Sequence, residues 1–260
     1  MNPAIQTTLN NIAEANHVKI FYACESGSRG WGFPSADSDY DVRFFYLHPQ
    51  EWYLAINVEK KRDTIEVPMI DGVLDICGWD LRKALQLLRK SNAPLLEWLV
   101  SPIVYLETFD IAATMRTLAH QYYSPIACFW HYLGMAGKNY RTALTGDRVK
   151  AKHYLYVLRP ILAAKWLEQG LGLVPMEFEV LVNRLIDSAE FQATIKQLIA
   201  AKRQGTESDH IPRLPVVDTF IAQEFARLEH EVIIKGGRQF PMDELNALFR
   251  KSLQEIWGDV

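Results

Sequence analysis

Three aspartates stand in or beside two apolar segments of the sequence. Asp39 and Asp41 open the run Val42–Tyr46, and Asp75 interrupts the run Val73–Cys77. Successive side chains of a β-strand point to opposite faces, so Asp39 and Asp41 are expected to share one face. Acidic residues are depleted in strands, which argues against a surface role alone. Two carboxylates on one face repel each other unless a cation lies between them, and oxygen ligands on a rigid strand suit Mg²⁺.

A glycine-rich turn precedes these aspartates. The predicted strand Val18–Cys24 leads into Gly27 and Ser28. Glycine lets the backbone approach a bound group closely, and the N–H groups of such a turn can hold a phosphate. Phosphate donors and metal ligands would then lie side by side, which indicates a nucleotide site.

This pattern resembles the nucleotidyltransferase superfamily typified by DNA polymerase β. Its signature is a Gly-Ser turn, an Asp-x-Asp strand and a third carboxylate on a neighbouring strand, a position that Asp75 fits. The segments Gly78–Leu85 and Lys90–Leu99 resemble, more narrowly, one bacterial and phage family of predicted nucleotidyltransferases, some of which occur beside RNA ligases. The resemblance covers residues 21–105 and, more weakly, 152–166.

The resemblance implies roles for both motifs. Asp39, Asp41 and Asp75 would be the catalytic and metal-binding residues, holding two Mg²⁺ ions that Mn²⁺ could replace. Asp75 would hold the ion that activates the acceptor hydroxyl and could act as its base. Gly27 and Ser28 would bind the β- and γ-phosphates through backbone N–H groups and the Ser hydroxyl.

Four further residues are candidates for nucleotide binding. Arg29 follows the turn and is either a triphosphate partner, since a guanidinium recognises phosphate in a fork, or an exposed turn arginine. Lys152, Tyr156 and Arg159 fall at i, i+4 and i+7 of a predicted helix and share a face. Spacing alone favours a solvated stripe with an amphipathic tyrosine. The resemblance includes a Tyr-x-x-Arg here, which implies contacts to the triphosphate or the base.

The patterning predicts an α+β fold, with an N-terminal polymerase-β-like sheet and flanking helices followed by an all-α C-terminal domain. Strand signals occur before about residue 110, and helical periodicity takes over from there. We therefore expect a catalytic domain over residues 1–110 and a helical domain over 111–260. The sequence also predicts the following local features: a hairpin around Asp71-Gly72, a helix over 81–90 capped by Asp80, a helix starting at Ser124-Pro125, a helix over 147–169 kinked at Pro160, a loop over 204–210, and helices over 216–235 and 242–257.

Composition limits the alternatives. The chain has 260 residues, 49% of them apolar, and a net charge of −3, so it can bury a large core and carries no global basic field. Its three cysteines show no metal-binding spacing and are expected to be reduced and buried. No signal peptide and no membrane-spanning apolar run are evident. We expect a cytoplasmic, soluble protein with no membrane partner.

These observations predict an enzyme that transfers a nucleoside monophosphate from an NTP, such as ATP, to a hydroxyl and releases pyrophosphate. The acceptor is open between an RNA 3′ end, favoured by the association with RNA ligases, and a protein or small-molecule hydroxyl, mildly favoured by the acidic composition. A non-catalytic nucleotide sensor or toxin–antitoxin component on the same scaffold is the other class. Such proteins typically lose a carboxylate, and all three are present here. The preferred NTP and the oligomeric state are not encoded in a recognisable motif.

Overall fold

A computed structural model describes residues 3–57, 60–205, 210–230 and 241–258. Their helices and strands, in chain order, are α1 Pro3–Asn16, β1 Lys19–Glu25, α2 Gly27–Gly30, β2 Tyr40–Leu47, α3 Gln50–Tyr53, β3 Thr64–Ile70, β4 Leu74–Asp80, α4 Leu81–Arg89, α5 Ala93–Leu99, β5 Val104–Glu107, α6 Ile111–Tyr122, α7 Pro125–Ala143, β6 Arg148–Lys150, α8 Ala151–Glu168, α9 Phe178–Leu185, α10 Ala189–Gln204, β7 His210–Pro212, α11 Pro215–His230 and α12 Asp243–Trp257.

The N-terminal half carries a mixed sheet of five strands in the order β3-β4-β2-β1-β5. β2 and β4 are parallel, and the other neighbours are antiparallel. The C-terminal half is mostly helical, and the predicted α+β class is confirmed. The C-terminal half is not all-α as expected, because β6 and β7 pair as a short antiparallel sheet. That pairing is non-local, so helical periodicity in the sequence did not reveal it.

The described residues divide into two compact units. The first contains 3–27, 39–57, 60–123 and 241–258, and the second contains 28–38, 124–205 and 210–230. The sheet, α1, α4, α5, α6 and α12 therefore belong to the first unit, and the remaining long helices belong to the second. The domain boundary expected between residues 110 and 111 stays a prediction.

In the first unit α1 covers one face of the sheet. Period-2 alternation in the strands and helical spacing in α1 bring these apolar side chains together. The buried cluster consists of Ile5, Leu9, Ile12, Val18, Ala23, Val42, Phe44, Tyr46, Leu74, Ile76 and Tyr105.

The opposite face of the sheet is covered by α5. Trp98 of α5 stacks on Trp79, with ring centroids 3.8 Å apart, and lies 5.6 Å from the Phe45 ring. Phe45 and Trp79 have the same strand parity as Asp41 and Asp75, so all four side chains share this face. On this face the aromatic rings pack near the ends of β2 and β4, and the aspartates lie near the starts of the same strands.

Most of the predicted local signals are present in the structure. The hairpin between β3 and β4 turns at Asp71-Gly72, and α7 begins at Pro125. The helix predicted over 147–169 begins later, at Ala151, because residues 148–150 form β6. The predicted turn at Gly27-Ser28 forms the short helix α2. Of the predicted 204–210 loop and 216–235 helix, residues 206–209 and 231–235 lie outside the described residues.

The second unit is built around α7 and α8, which pack against each other. Pro160 lies inside α8, and most of that helix is buried. In the part of the chain that the structure describes, no helix is both long enough and apolar enough to cross a membrane.

Asp80, predicted as a helix cap, is one. Its Oδ1 accepts a hydrogen bond from the Arg82 backbone N–H at 2.8 Å, and its Oδ2 accepts one from the Tyr53 hydroxyl at 2.5 Å. The side chain is fully buried. Burial raises the pKa of this carboxyl to about 6, and the hydrogen bonds from Tyr53 and Arg82 oppose the shift.

Asp80 therefore makes stability depend on pH. In the folded protein the Asp80 carboxyl stays protonated up to about pH 6, whereas in the unfolded chain it loses its proton near pH 4. The raised pKa of Asp80 therefore adds to the free energy of unfolding. This contribution is complete below about pH 4 and is lost as pH rises to about 6, a loss of about 3 kcal/mol. Urea unfolding between pH 4 and 7 should show the free energy of unfolding falling with pH in the wild type and falling less in Asp80→Asn, which keeps the cap; Asp41, whose pKa is also raised, still contributes there. The control Asp71→Asn, at an exposed carboxyl, should match the wild-type slope.

Candidate active site

The parallel pair β2/β4 brings two of the predicted aspartates together. Asp41 and Asp75 are register partners in that pair, so their side chains emerge next to each other on one sheet face. Both carboxylates accept from the same nitrogen, Nη2 of Arg43, at 3.0 Å for Asp41 Oδ1 and 2.7 Å for Asp75 Oδ2. Asp75, the predicted third carboxylate, therefore lies next to Asp41 in the folded sheet.

Arg43 is the residue that sequence reasoning missed. It follows Asp41 by two positions in a strand, so the period of two places both on one face. A charged residue in the apolar run Val42–Tyr46 was the available signal. Besides the two carboxylates, Nη1 of Arg43 donates to the carbonyls of Val42 and Asp75, each at 3.1 Å. These four hydrogen bonds fix the guanidinium across the strand pair.

Negative charge is concentrated around Asp41. Burial raises the pKa of the Asp41 carboxyl, the Arg43 guanidinium opposes that shift, and the carboxylates of Asp75 and Asp39 add to it. Asp39 is exposed and immediately precedes β2. The structure thus joins Asp41 and Asp75 through Arg43, and it couples Asp39 to Asp41 electrostatically.

Gly27 lies directly against the Asp41 carboxyl. A Cβ at position 27 would be 2.0 Å from Asp41 Oδ2, and Gly27 has a φ of +56°, in the left-handed region that favours glycine. The Ser26 backbone N–H donates to the Asp41 carbonyl at 2.8 Å, which links the turn to β2. Glycine is required here for both space and backbone conformation.

Glu25 supports Asp41 from the neighbouring strand β1. It is fully buried, and its Oε1 accepts from the Asp41 backbone N–H at 2.8 Å. The Tyr105 hydroxyl donates to Oε2, and the Ser101 hydroxyl donates to the Glu25 carbonyl at 2.6 Å. These contacts make Glu25 a residue that fixes the backbone of Asp41.

The segment that follows the glycine turn belongs to the second unit. Ser28 is buried, and Nη2 of Arg29 donates to the Ser38 carbonyl at 2.7 Å. Lys202 of α10 is also buried, and its Nζ lies 3.3 Å from the hydroxyls of both Ser35 and Ser38. The roles of Ser28 and Arg29 in phosphate binding stay predictions.

The predicted helical face is found on α8. Arg159 is only 1% exposed, donates to the Met176 carbonyl, and lies 4.5 Å from the centre of the Trp31 ring. Tyr156 meets Trp31 edge-on at 5.6 Å. Lys152 is half-buried. Packing thus accounts for the contacts of Arg159 and Tyr156 in this unit, and nucleotide binding by the three stays a prediction.

The donors around Asp41 and Asp75 decide which cation could bind there. Across residues 3–57, 60–205, 210–230 and 241–258, no group of three His, Cys, Asp or Glu side chains is arranged to hold a metal ion. The pair Asp41–Asp75 nevertheless shares a cation, the guanidinium of Arg43, which stands between the two carboxylates. A hard divalent ion prefers the same oxygen ligands. The residues present therefore fit Mg²⁺ or Mn²⁺.

Comparisons with known proteins indicate the family of this chain. Residues 1–251 match the family model described as RlaP, an RNA repair pathway DNA polymerase beta family. The uncharacterized protein YcgL of Bacillus subtilis (strain 168) is 46% identical over 260 residues, covering 100% of this chain and 99% of that protein. A nucleotidyltransferase-like protein from Exiguobacterium sibiricum 255-15 aligns with 88% of this chain and 73% of its own, at 13% identity and a TM-score of 0.33.

Proposed function

We propose that this chain, which belongs to the RlaP RNA repair pathway DNA polymerase beta family, transfers a nucleoside monophosphate from an NTP to a hydroxyl and releases pyrophosphate. The observation that carries the proposal is the in-register placement of Asp41 and Asp75 around a shared cation, with Gly27 against Asp41. Carboxylates around a cation beside a phosphate-binding turn are the parts that nucleotidyl transfer requires, because that chemistry depends on positioning and charge neutralisation.

In this proposal Asp39, Asp41 and Asp75 hold up to two Mg²⁺ ions, for which Mn²⁺ can substitute. The bound metal supplies charge neutralisation for the triphosphate and lowers the pKa of the acceptor hydroxyl. Asp75 would hold the metal ion next to the acceptor hydroxyl, and the backbone N–H groups at Gly27 and Ser28 would bind the β- and γ-phosphates.

Glu25 contributes without touching substrate. Its bond to the Asp41 backbone N–H and its own burial hold the start of β2 in place. A fixed carboxylate matters because a displacement of about 1 Å at a reacting centre can cost about 10²-fold in rate. Glu25 is therefore a positioning residue.

We propose an RNA 3′-hydroxyl as the acceptor, supported by the RNA repair pathway in the description of the matching family. The net charge of −3 requires that RNA binding use a local basic surface or be weak and salt-sensitive.

The test uses each of the four α-³²P-labelled NTPs with Mg²⁺ and an oligoribonucleotide ending in a 3′-hydroxyl. The matched control RNA ends in a 3′-phosphate. We expect label in the hydroxyl-ended RNA only, with one pyrophosphate released for each nucleotide added. Label on the protein would replace RNA by a protein acceptor, and tight NTP binding without pyrophosphate release would contradict the transferase.

A further inference from the structure

The guanidinium of Arg43 occupies the space between the two paired carboxylates. We infer that Arg43 is the resident counter-ion of Asp41 and Asp75 and competes with a divalent metal ion for their oxygens. This inference rests on the proposed function, since it concerns the metal site of the same reaction. It goes further by assigning control of metal affinity to a residue that is not a metal ligand.

A counter-ion is needed at this place in the fold. Strands in a sheet lie about 4.8 Å apart, so the in-register carboxylates of Asp41 and Asp75 repel each other strongly when both are charged. Their side chains are 26% and 40% exposed, which leaves part of that repulsion unscreened by water. The Arg43 side chain is 16% exposed and donates from one nitrogen to both carboxylates. It therefore lets the pair exist before any metal binds.

Competition follows from the atoms involved. Nη2 of Arg43 occupies Asp41 Oδ1 and Asp75 Oδ2, and a metal ion bridging the pair needs lone pairs on the same carboxylates. The two cations also repel each other. Nη1 is held separately by the carbonyls of Val42 and Asp75. Those two bonds can keep the arginine next to the site when Nη2 gives up the carboxylates, so release does not require the strands to separate.

The opposite possibility is a permanent strand clamp. In that case Arg43 would stay on both carboxylates with the metal bound and would orient them for it. Loss of the arginine would then leave metal affinity unchanged or weaken it. Replacing Arg43 should therefore raise the metal affinity if the arginine competes with the metal, and should lower it or leave it unchanged if the arginine is a permanent clamp.

The experiment is a Mn²⁺ titration without nucleotide, followed by the electron paramagnetic resonance signal of free Mn²⁺. Arg43→Met, which keeps most of the aliphatic part of the side chain and removes its charge, should bind Mn²⁺ about 10²-fold more tightly than the wild type, since each of the two charge-assisted hydrogen bonds released is worth about a factor of ten. Arg43→Lys should be intermediate. Arg116→Met is the matched control, because Arg116 pairs with a different carboxylate of the same unit, Glu107, and its loss should leave the affinity unchanged.

Thermal unfolding gives a second readout that does not depend on catalysis. Arg43→Met should melt at a lower temperature than the wild type without metal and should gain more from saturating Mn²⁺. Unchanged or weaker Mn²⁺ binding by Arg43→Met and Arg43→Lys would overturn the role of Arg43 while leaving the proposed function in place. No Mn²⁺ binding by either the wild type or Arg43→Met, or undiminished binding by Asp75→Asn, would instead overturn the metal site on which the proposed function rests.

Discussion

Asp75→Asn should abolish nucleotidyl transfer and leave the fold intact. The substitution removes the charge that a metal on the acceptor side requires, and metal charge stabilisation is worth several kcal/mol in the transition state. Because each 1.36 kcal/mol is a factor of ten, we expect a loss of about 10³-fold or more in single-turnover label incorporation. Asparagine retains the shape of the side chain, and the backbone carbonyl of residue 75 still accepts from Nη1 of Arg43.

The matched control is Asp71→Asn. Asp71 is exposed in the β3–β4 turn with a φ of +50°, a conformation that asparagine also tolerates, so its activity should equal that of the wild type. Circular dichroism and urea unfolding would verify that both variants fold. Activity of Asp75→Asn within tenfold of the wild type would remove this carboxylate from the mechanism and favour a different third acid.

Gly27→Ala should lose both activity and stability. The added Cβ would lie 2.0 Å from Asp41 Oδ2, and the backbone at Gly27 has a φ of +56°. Overpacking in a closely packed place costs about 1–3 kcal/mol. The left-handed conformation adds about 1 kcal/mol. Because the atom that must move is a proposed metal ligand, we expect a fall of about 10²-fold in rate, measured as single-turnover transfer at saturating NTP.

Gly72→Ala separates backbone strain from the clash. Gly72 has a φ of +71°, and a Cβ there would meet nothing within 4 Å. It should lose stability through the backbone alone and keep full activity. If Gly27→Ala and Gly72→Ala lost the same stability and both retained activity, the close approach of Gly27 to Asp41 would have no part in the reaction.

Local chemistry accounts for the parts of this protein that its sequence made predictable. Asp80 caps a helix because its carboxylate follows a strand and precedes a helical run, and both signals lie within a few residues. The hairpin between β3 and β4 was indicated by the adjacent residues Asp71 and Gly72. The start of α7 at Pro125 was indicated by the two adjacent residues Ser124 and Pro125.

Three features needed the tertiary structure, since each depends on residues far apart in the chain. The strand β5 and the pair β6/β7 have short segments with weak local preference, and their pairing partners stabilise them. Glu25 and Asp41 meet across β1 and β2, and nothing near Glu25 in the sequence indicates that its carboxylate accepts from Asp41. Arg159, which spacing and resemblance made a candidate for nucleotide binding, is buried against Met176 and Trp31.

The sequence by itself determined which acidic residues are candidates for the site, that a glycine turn precedes them, and that the fold is α+β. Residue type and short-range periodicity set these features locally. Only the tertiary structure decided that β2 and β4 run parallel with Asp41 opposite Asp75 and that Arg43 bridges them. A shift of one residue in that register would turn one carboxylate to the other face. Register is chosen by burial and pairing summed over the whole sheet, so no local pattern contains it.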